Sequence, residues 1–408
     1  MITSSGYRWV VLAMCWAAFT MTSVDRSTWG PAAAAVSGSL HVPLAALGVF
    51  ATGYYLGYLV SNAGGGVLVD VLGARALLTA SCVGAGLLMV LFGSATSLPV
   101  GLALQAAVGL LAGVDFAAGL KMISEWFTED QVGLASGIFM TATSLGTVIA
   151  NAIVPSLILA SGWPTSYRVF GSATVVIGLL CFALVRDHAR GPAPSGTLAE
   201  AQPRRELPDP RAVLANRDLL LLGIAGFGGL WGTYGFVTWS NTLMVKGSGI
   251  DPVSAGVVLV IFAGVAVVIK PVVGWVCDRL GVGLRRPIVA VLGYYAIVLV
   301  IFGQLHTYAQ FLWVAPFLGI GAYAYSPLTA ALTPVLSGRR SAGSAAGAVN
   351  AFWQLGSVLV PAVIGPVFAT SHSFALAFAA LAAGPLLGAV VGLFVRERRA
   401  ERPLPAGA

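Results

Sequence analysis

Gly66-Val-Leu-Val-Asp70-Val-Leu-Gly73-Ala-Arg75 is a short glycine- and charge-bearing loop between two long apolar runs, and the chain carries it twice. The second copy starts at Gly274, with Asp278 and Gly281 at the same spacing and Arg279 and Arg285 close behind. A second match joins Gly133, Gly137 and Leu145-Gly146 to Gly343, Gly347 and Leu355-Gly356, at nearly the same offset. Self-similarity on this scale divides the chain into two related halves. Both copies begin on the same side of the apolar runs, so the halves are parallel repeats about an axis along the membrane normal.

The runs around these loops are too long and too apolar for a water-soluble domain. Of the 408 residues 58% are hydrophobic and only 9% are charged, and the mean hydropathy is +0.89. A hydrocarbon core about 30 Å thick takes roughly 20 apolar residues per helix. Twelve such spans are predicted, at 9–36, 44–69, 76–95, 98–122, 133–160, 165–185, 218–242, 253–276, 287–305, 310–334, 343–369 and 374–395. The 51 glycines read as close helix packing, because small residues let membrane helices approach. The fold expected is an all-α membrane protein, twelve transmembrane helices in two six-helix bundles.

One long polar segment interrupts the pattern. It is rich in Pro, Arg and Ala and reads as a flexible linker. The expected domains are a first bundle over 1–185, a linker over 186–217, a second bundle over 218–395 and a tail over 396–408. Basic residues set the orientation. Arg8, Arg75, the linker arginines, Arg285, Arg286, Arg339, Arg340 and Arg396 fall on one side, while Lys246 and Arg168 fall on the other. Both termini are therefore expected in the cytoplasm, in a multi-pass protein of the bacterial inner membrane. Asp25 and Arg26 argue against cleavage of the first span as a signal peptide.

The net charge of +7 lies in short loops beside apolar spans rather than in a groove, which excludes nucleic acid as a partner. There is no nucleotide-binding G-x-x-x-x-G-K-[ST] loop, no H-E-x-x-H and no G-x-S-x-G elbow. The four cysteines and four histidines stand apart. An enzyme is not expected, and neither is a cofactor or a metal.

The Gly66–Arg75 loop resembles the signature G-x-x-x-D-x-x-G-x-R/K of the major facilitator superfamily, with an insertion before the basic residue of the second copy. Within it the chain is similar to the anion:cation symporters and the oxalate and monocarboxylate carriers. Asp25-Arg26 in the first span, Glu125-Trp126-Phe127 ahead of Gly133-Leu-Ala-Ser-Gly137, Lys270-Pro271 before Gly274, and Asn350 to Gly356 carry this finer match. Two positions depart: Lys270 stands where those carriers have Arg, and Gln354 lies near where an oxalate carrier has Lys. The resemblance implies alternating access, with Asp70, Arg75, Asp278 and Arg279 as gating and packing elements.

Few ionisable groups lie at membrane depth, and each must face a cavity or a partner, since a charge there costs about 2.5–3.5 kcal/mol on insertion scales. Arg26 and Lys270 are candidates to hold a substrate carboxylate from opposite halves; the alternative is that each neutralises an acid. Asp25 and Asp115 are candidates to carry a coupled proton; the alternative is permanent ion pairing. Tyr54, Asn350 and Gln354 are candidate cavity residues, with Tyr58, Trp231, Tyr234 and Trp353 as further aromatics that also suit packing. Lys121 and Glu125, four apart, read as an interfacial pair. The expected activity is import of a small organic anion, a carboxylate or sugar acid, with proton symport by a monomer in the lipid bilayer. Carboxylate exchange, efflux of an amphipathic drug and a transporter-like sensor are the rival expectations.

Overall fold

In hydrocarbon no water is available to the backbone, so each apolar run must satisfy its own amides and carbonyls, and it does so as a helix. The computed structural model describes residues 4–128, 131–187, 216–280, 283–337 and 342–397. The first half holds α1 (Ser4–Ser27), α2 (Trp29–Leu40), α3 (Leu47–Leu72), α4 (Ala74–Phe92), α5 (Leu98–Ala112), α6 (Asp115–Trp126), α7 (Val132–Ser161) and α8 (Trp163–Leu184). The second half holds α9 (Arg217–Ser248), α10 (Pro252–Leu280), α11 (Arg285–Phe302), α12 (Tyr308–Ser337), α13 (Ala342–Ser371) and α14 (Phe374–Gly392).

Two predicted spans are each divided. The first becomes α1 and α2, distorted at Thr28, whose hydroxyl bonds the Val24 carbonyl at 2.9 Å; such back-bonding bends helices. The fourth becomes α5 and α6, distorted at Gly113 and Val114. Ten segments among the described residues are long and apolar enough to cross a membrane, with α5–α6 counted as one. The α1–α2 pair and α3 complete the twelve. Much of the predicted linker lies outside the described residues.

The first bundle forms as α1 packs on α7, α3 on α5 and α4 on α8. The second forms as α9 packs on α13 and α14, α10 on α12 and α11 on α14. Gly73 and Gly162 sit at φ +87° and +79° and turn the chain between consecutive spans within a single residue.

The repeat reappears as a matched pair of struts on the face that carries the termini. The Arg75 amide donates to Asp187 Oδ1 at 3.0 Å, and its guanidinium reaches the Phe182 carbonyl at the end of α8. In the second half the Arg285 amide donates to Glu397 Oε2 at 3.1 Å, and its guanidinium reaches the Leu393 carbonyl after α14. Each arginine thus neutralises a helix C-terminus while an acid caps the N-terminus of the helix that the arginine itself opens, α4 or α11. The counterpart of Arg75 is therefore Arg285. Asp187→Ala and Glu397→Ala are each expected to cost about 1 kcal/mol, additively because they lie in different bundles; thermal unfolding in detergent reads this.

Asp251 caps α10 through the Val253 and Ser254 amides at 2.9 and 3.2 Å. Its Ser254 partner and these amides hold the carboxyl below its usual range. A lowered folded value places this small contribution at neutral pH and removes it as pH falls.

The bundles meet along two seams, α3 against α13 and α7 against α10. One apolar core is common to both bundles and includes Trp29, Phe50, Tyr55, Phe236, Trp239 and Ile364. Toward the terminal face the cores are separate. Phe19, Leu78 and Phe139 belong to one in the first bundle, and Leu222, Leu292 and Leu332 to another in the second. The described close approaches between halves fall on the far side, away from the termini. A Cβ on Gly48 would lie 1.7 Å from the Pro361 carbonyl oxygen, and one on Gly256 2.3 Å from that of Asn151. Asn241 Nδ2 donates to Asn151 Oδ1 at 2.8 Å, and Thr52 donates to the Val358 carbonyl at 2.9 Å. This far gate is made of backbone contact and neutral hydrogen bonds.

Candidate functional site

Asp25 and Arg26 are neighbours in sequence, about 100° apart around a helix, and the structure sends them to different places. Asp25 points into the first bundle, where Thr174 Oγ1 lies 3.0 Å from both of its oxygens. Arg26 points to the seam between halves. Its guanidinium stands over the ring of Tyr58 in its own half, 5.9 Å from the centroid, and over Tyr234 of the other half at 5.3 Å.

Around Arg26 is a small cavity of about 10 Å³, lined by Trp29, Tyr54, Tyr55, Gln105, Val237 and Thr238 among others. That is close to the volume one water needs. Aromatic packing builds the wall. Tyr54 stacks on Tyr58 at 6.2 Å and meets Tyr55 edge-on at 5.5 Å, and Tyr55 crosses the seam to Tyr234 at 5.2 Å. Lys270 sits 5.2 Å from the ring centroid of Tyr323, which itself packs on Phe262. Lys270 belongs to α10, in the other half from Arg26, and is not among the residues lining that cavity.

Neither cation forms an ion pair with a carboxylate among the described residues; their partners are rings. The intramembrane acids are occupied elsewhere. Asp115 accepts a hydrogen bond from Thr22, and its Oδ1 is buried with no partner. No direct ion pair joins any of these four groups to another among the described residues.

The remaining candidates scatter. Tyr54 is at the cavity. Gln354 is buried beside Ser357, and neither it nor Asn350 is among the residues lining that cavity. Trp353 donates to the Leu222 carbonyl and Trp231 to that of Ala380, so both indoles tie helices together inside the second bundle. Lys121 Nζ donates to the Val69 carbonyl at 3.0 Å, near the end of α3. Arg75 belongs to the strut described above. The side chains of Asp70, Asp278 and Arg279 lie outside the described residues.

Tyr55, Gln105 and Thr238 were missed. The Tyr54-Tyr55-x-x-Tyr58 spacing held a signal for the first, and an amide in the otherwise apolar stretch 98–114 held one for the second. Thr238 had no signal, because its place depends on how the halves meet.

Comparison with known proteins places these features. Over 425 residues the chain is 25% identical to a "Probable galactarate/D-glucarate transporter" of Escherichia coli (strain K12), covering 95% of this chain and 94% of that protein. It is 25% identical to "Probable anion transporter 4, chloroplastic" of Oryza sativa subsp. japonica, covering 67% of this chain and 48% of the other. The chain thus spans about half the length of such plant relatives. Among solved structures, the bacterial homolog to the human lysosomal transporter Spinster, in its inward-facing and occupied conformation, superposes with a TM-score of 0.81. Identity there is 14%, covering 98% of this chain and 99% of that one, so the likeness is one of fold. The profile of the Major Facilitator Superfamily matches residues 15–361. The chain belongs to the Major Facilitator Superfamily.

Proposed function

We propose that this protein imports a small organic anion, a carboxylate or sugar acid, together with protons. One observation carries the reading: Arg26 is a guanidinium on the seam between halves that rests against rings and makes no direct ion pair with a carboxylate among the described residues. A guanidinium makes paired hydrogen bonds with a carboxylate, and a lysine adds a point charge. Arg26 and Lys270 belong to opposite halves, so one anion touching both would draw the bundles together. Tyr54 offers a hydroxyl at the cavity beside Arg26; Asn350 and Gln354 on α13 remain candidates for a later stage of the cycle. The relatives named for anions and for galactarate and D-glucarate support the class of substrate.

Asp25 and Asp115 are the proposed proton carriers. Thr174 has one hydroxyl proton for three oxygens, the two of Asp25 and the Phe170 carbonyl 2.9 Å away. Thr22 stands likewise between Asp115 and the Phe19 carbonyl. A proton on either carboxyl lets the acid donate to the threonine and the threonine to the carbonyl, so each hydroxyl proton has an acceptor of its own. Charge movement within the first bundle then accompanies anion movement at the seam.

In this reading the bundles are 1–185 and 218–395, joined by the 186–217 linker, and the far gate faces outward from the bacterial inner membrane. Both termini, with the 396–408 tail, are cytoplasmic. The carrier works as a monomer, its halves rocking about the central site, with Asp70, Arg75, Asp278 and Arg279 at the moving terminal face. Asp25→Asn is expected to abolish accumulation driven by a pH gradient while leaving exchange of one anion for another. Wild-type accumulation in that variant removes Asp25 from proton coupling. Lys270→Gln is expected to raise the half-saturating concentration about tenfold, the loss of one charge-assisted contact. An unchanged value in uptake assays removes Lys270 from the site.

A further inference from the structure

Arg26 is held between rings from both halves. Tyr58 belongs to α3 of its own bundle, whereas Tyr234 belongs to α9 of the other. The Arg26–Tyr234 contact therefore exists only when the halves are together at this level. It lies beside the far gate, where Gly30 of α2 backs onto the Val237 carbonyl with 2.6 Å for a Cβ. Tyr234 is also braced against Tyr55 at 5.2 Å, with the planes inclined at 64°. An unpaired cation resists being closed into a dry seam. An aromatic face lessens that resistance, because its quadrupole attracts the charge without an acid.

We propose that Tyr234 closes over Arg26 as the protein's own substitute for a bound anion, so that the far gate can shut without substrate. The consequence is the mode of transport. A carrier whose gate shuts only over an anion is an obligate exchanger, whereas one whose gate also shuts empty returns and drives net flux. Tyr234 is thus a positioning residue that acts through Arg26. Tyr323 over Lys270 repeats the arrangement within the second half, but it does not cross the seam and so cannot report closure. The inference rests on the anion reading for its biological meaning, while its physical content concerns the gate alone.

The test uses no anion. Val358 lies in the gate and is 6% exposed, and its backbone carbonyl rather than its side chain receives Thr52. A Val358→Cys probe in the full-length protein is labelled with a maleimide, in detergent and without carboxylates, against the parent protein whose described native cysteines are buried. Tyr234→Leu is expected to speed labelling about tenfold, the size of one desolvated cation–ring contact. Tyr234→Phe keeps the ring and is expected to label at the parent rate. With Arg26→Met in place, Tyr234→Leu is expected to change the rate far less, because only the Tyr55 ring contact is then left to lose.

Three results overturn the proposal: Tyr234→Leu labelling at the parent rate, Tyr234→Phe labelling as fast as Tyr234→Leu, or Tyr234→Leu acting equally with and without Arg26. The last would make Tyr234 a packing residue. Failure of every carboxylate in uptake assays would sink the anion reading and leave these labelling rates as they are.

Discussion

Gly48→Val is expected to lower uptake at least a hundredfold while leaving the protein folded. A Cβ at residue 48 would stand 1.7 Å from the Pro361 oxygen and 2.4 Å from its carbonyl carbon. Ordinary carbon–oxygen contacts are about 3.3–3.6 Å, so α3 and α13 must part by more than 1 Å. The obstacle is backbone, which no rotamer change can clear, and close-packed seams switch between arrangements rather than deform gradually. The far gate then stays open and the cycle stops with substrate still able to bind from that side. Saturable binding with negligible uptake is the expected pattern. Gly38→Ala and Gly64→Ala, where a Cβ meets nothing within 4 Å, are the controls and are expected to transport normally. Normal uptake by Gly48→Val would mean that transport does not require this close approach of α3 to α13.

The second large effect is at Arg26. Arg26→Gln removes the charge and the paired hydrogen bonds while keeping a polar side chain. Truncating one partner of a buried, hydrogen-bonded charge pair costs about 2–5 kcal/mol, which is roughly 30-fold to several-thousand-fold in affinity. Arg26→Lys is expected to recover only part of this, since an ammonium lacks the planar fork. Binding measured by displacement of a labelled carboxylate separates the variants. Equal affinity in the wild type and Arg26→Gln would place the substrate elsewhere.

Much of the fold was legible because lipid enforces a simple rule: each apolar run of sufficient length becomes one helix. The Gly66 and Gly274 loops then set the two-bundle arrangement, and the struts at Arg75 and Arg285 realise that repeat in three dimensions. The distortions at Thr28 and Gly113 were not legible. They arise from a threonine back-bond and a glycine within otherwise continuous apolar stretches, and neither changes the apolar pattern. Both fall beside intramembrane charges, Arg26 before one and Asp115 after the other.

For the site, scarcity was the useful signal. Arg26, Asp25 and Lys270 stood out because membrane helices carry so few charges. What the residues alone left open was who faces whom. Asp25 turns to Thr174 and Arg26 to Tyr234, a split set by helix rotation against α8 and α9. The residue pattern singles out Tyr54 and not Tyr55, although Tyr55 is the ring that crosses the seam to Tyr234. Trp231 and Trp353 attracted notice as aromatics and turned out to bind helix carbonyls.

On the proposed reading, Arg26 at the seam, held by rings without a paired carboxylate, makes this protein an anion carrier driven by protons. Uptake into proteoliposomes under an imposed pH gradient tests it most directly, with labelled D-glucarate, galactarate and simple monocarboxylates as the panel. The predicted result is accumulation of at least one of them when the outside is acidic, collapsing when the gradient is dissipated and absent in Arg26→Gln. No uptake of, and no competition by, any carboxylate in the panel would contradict it.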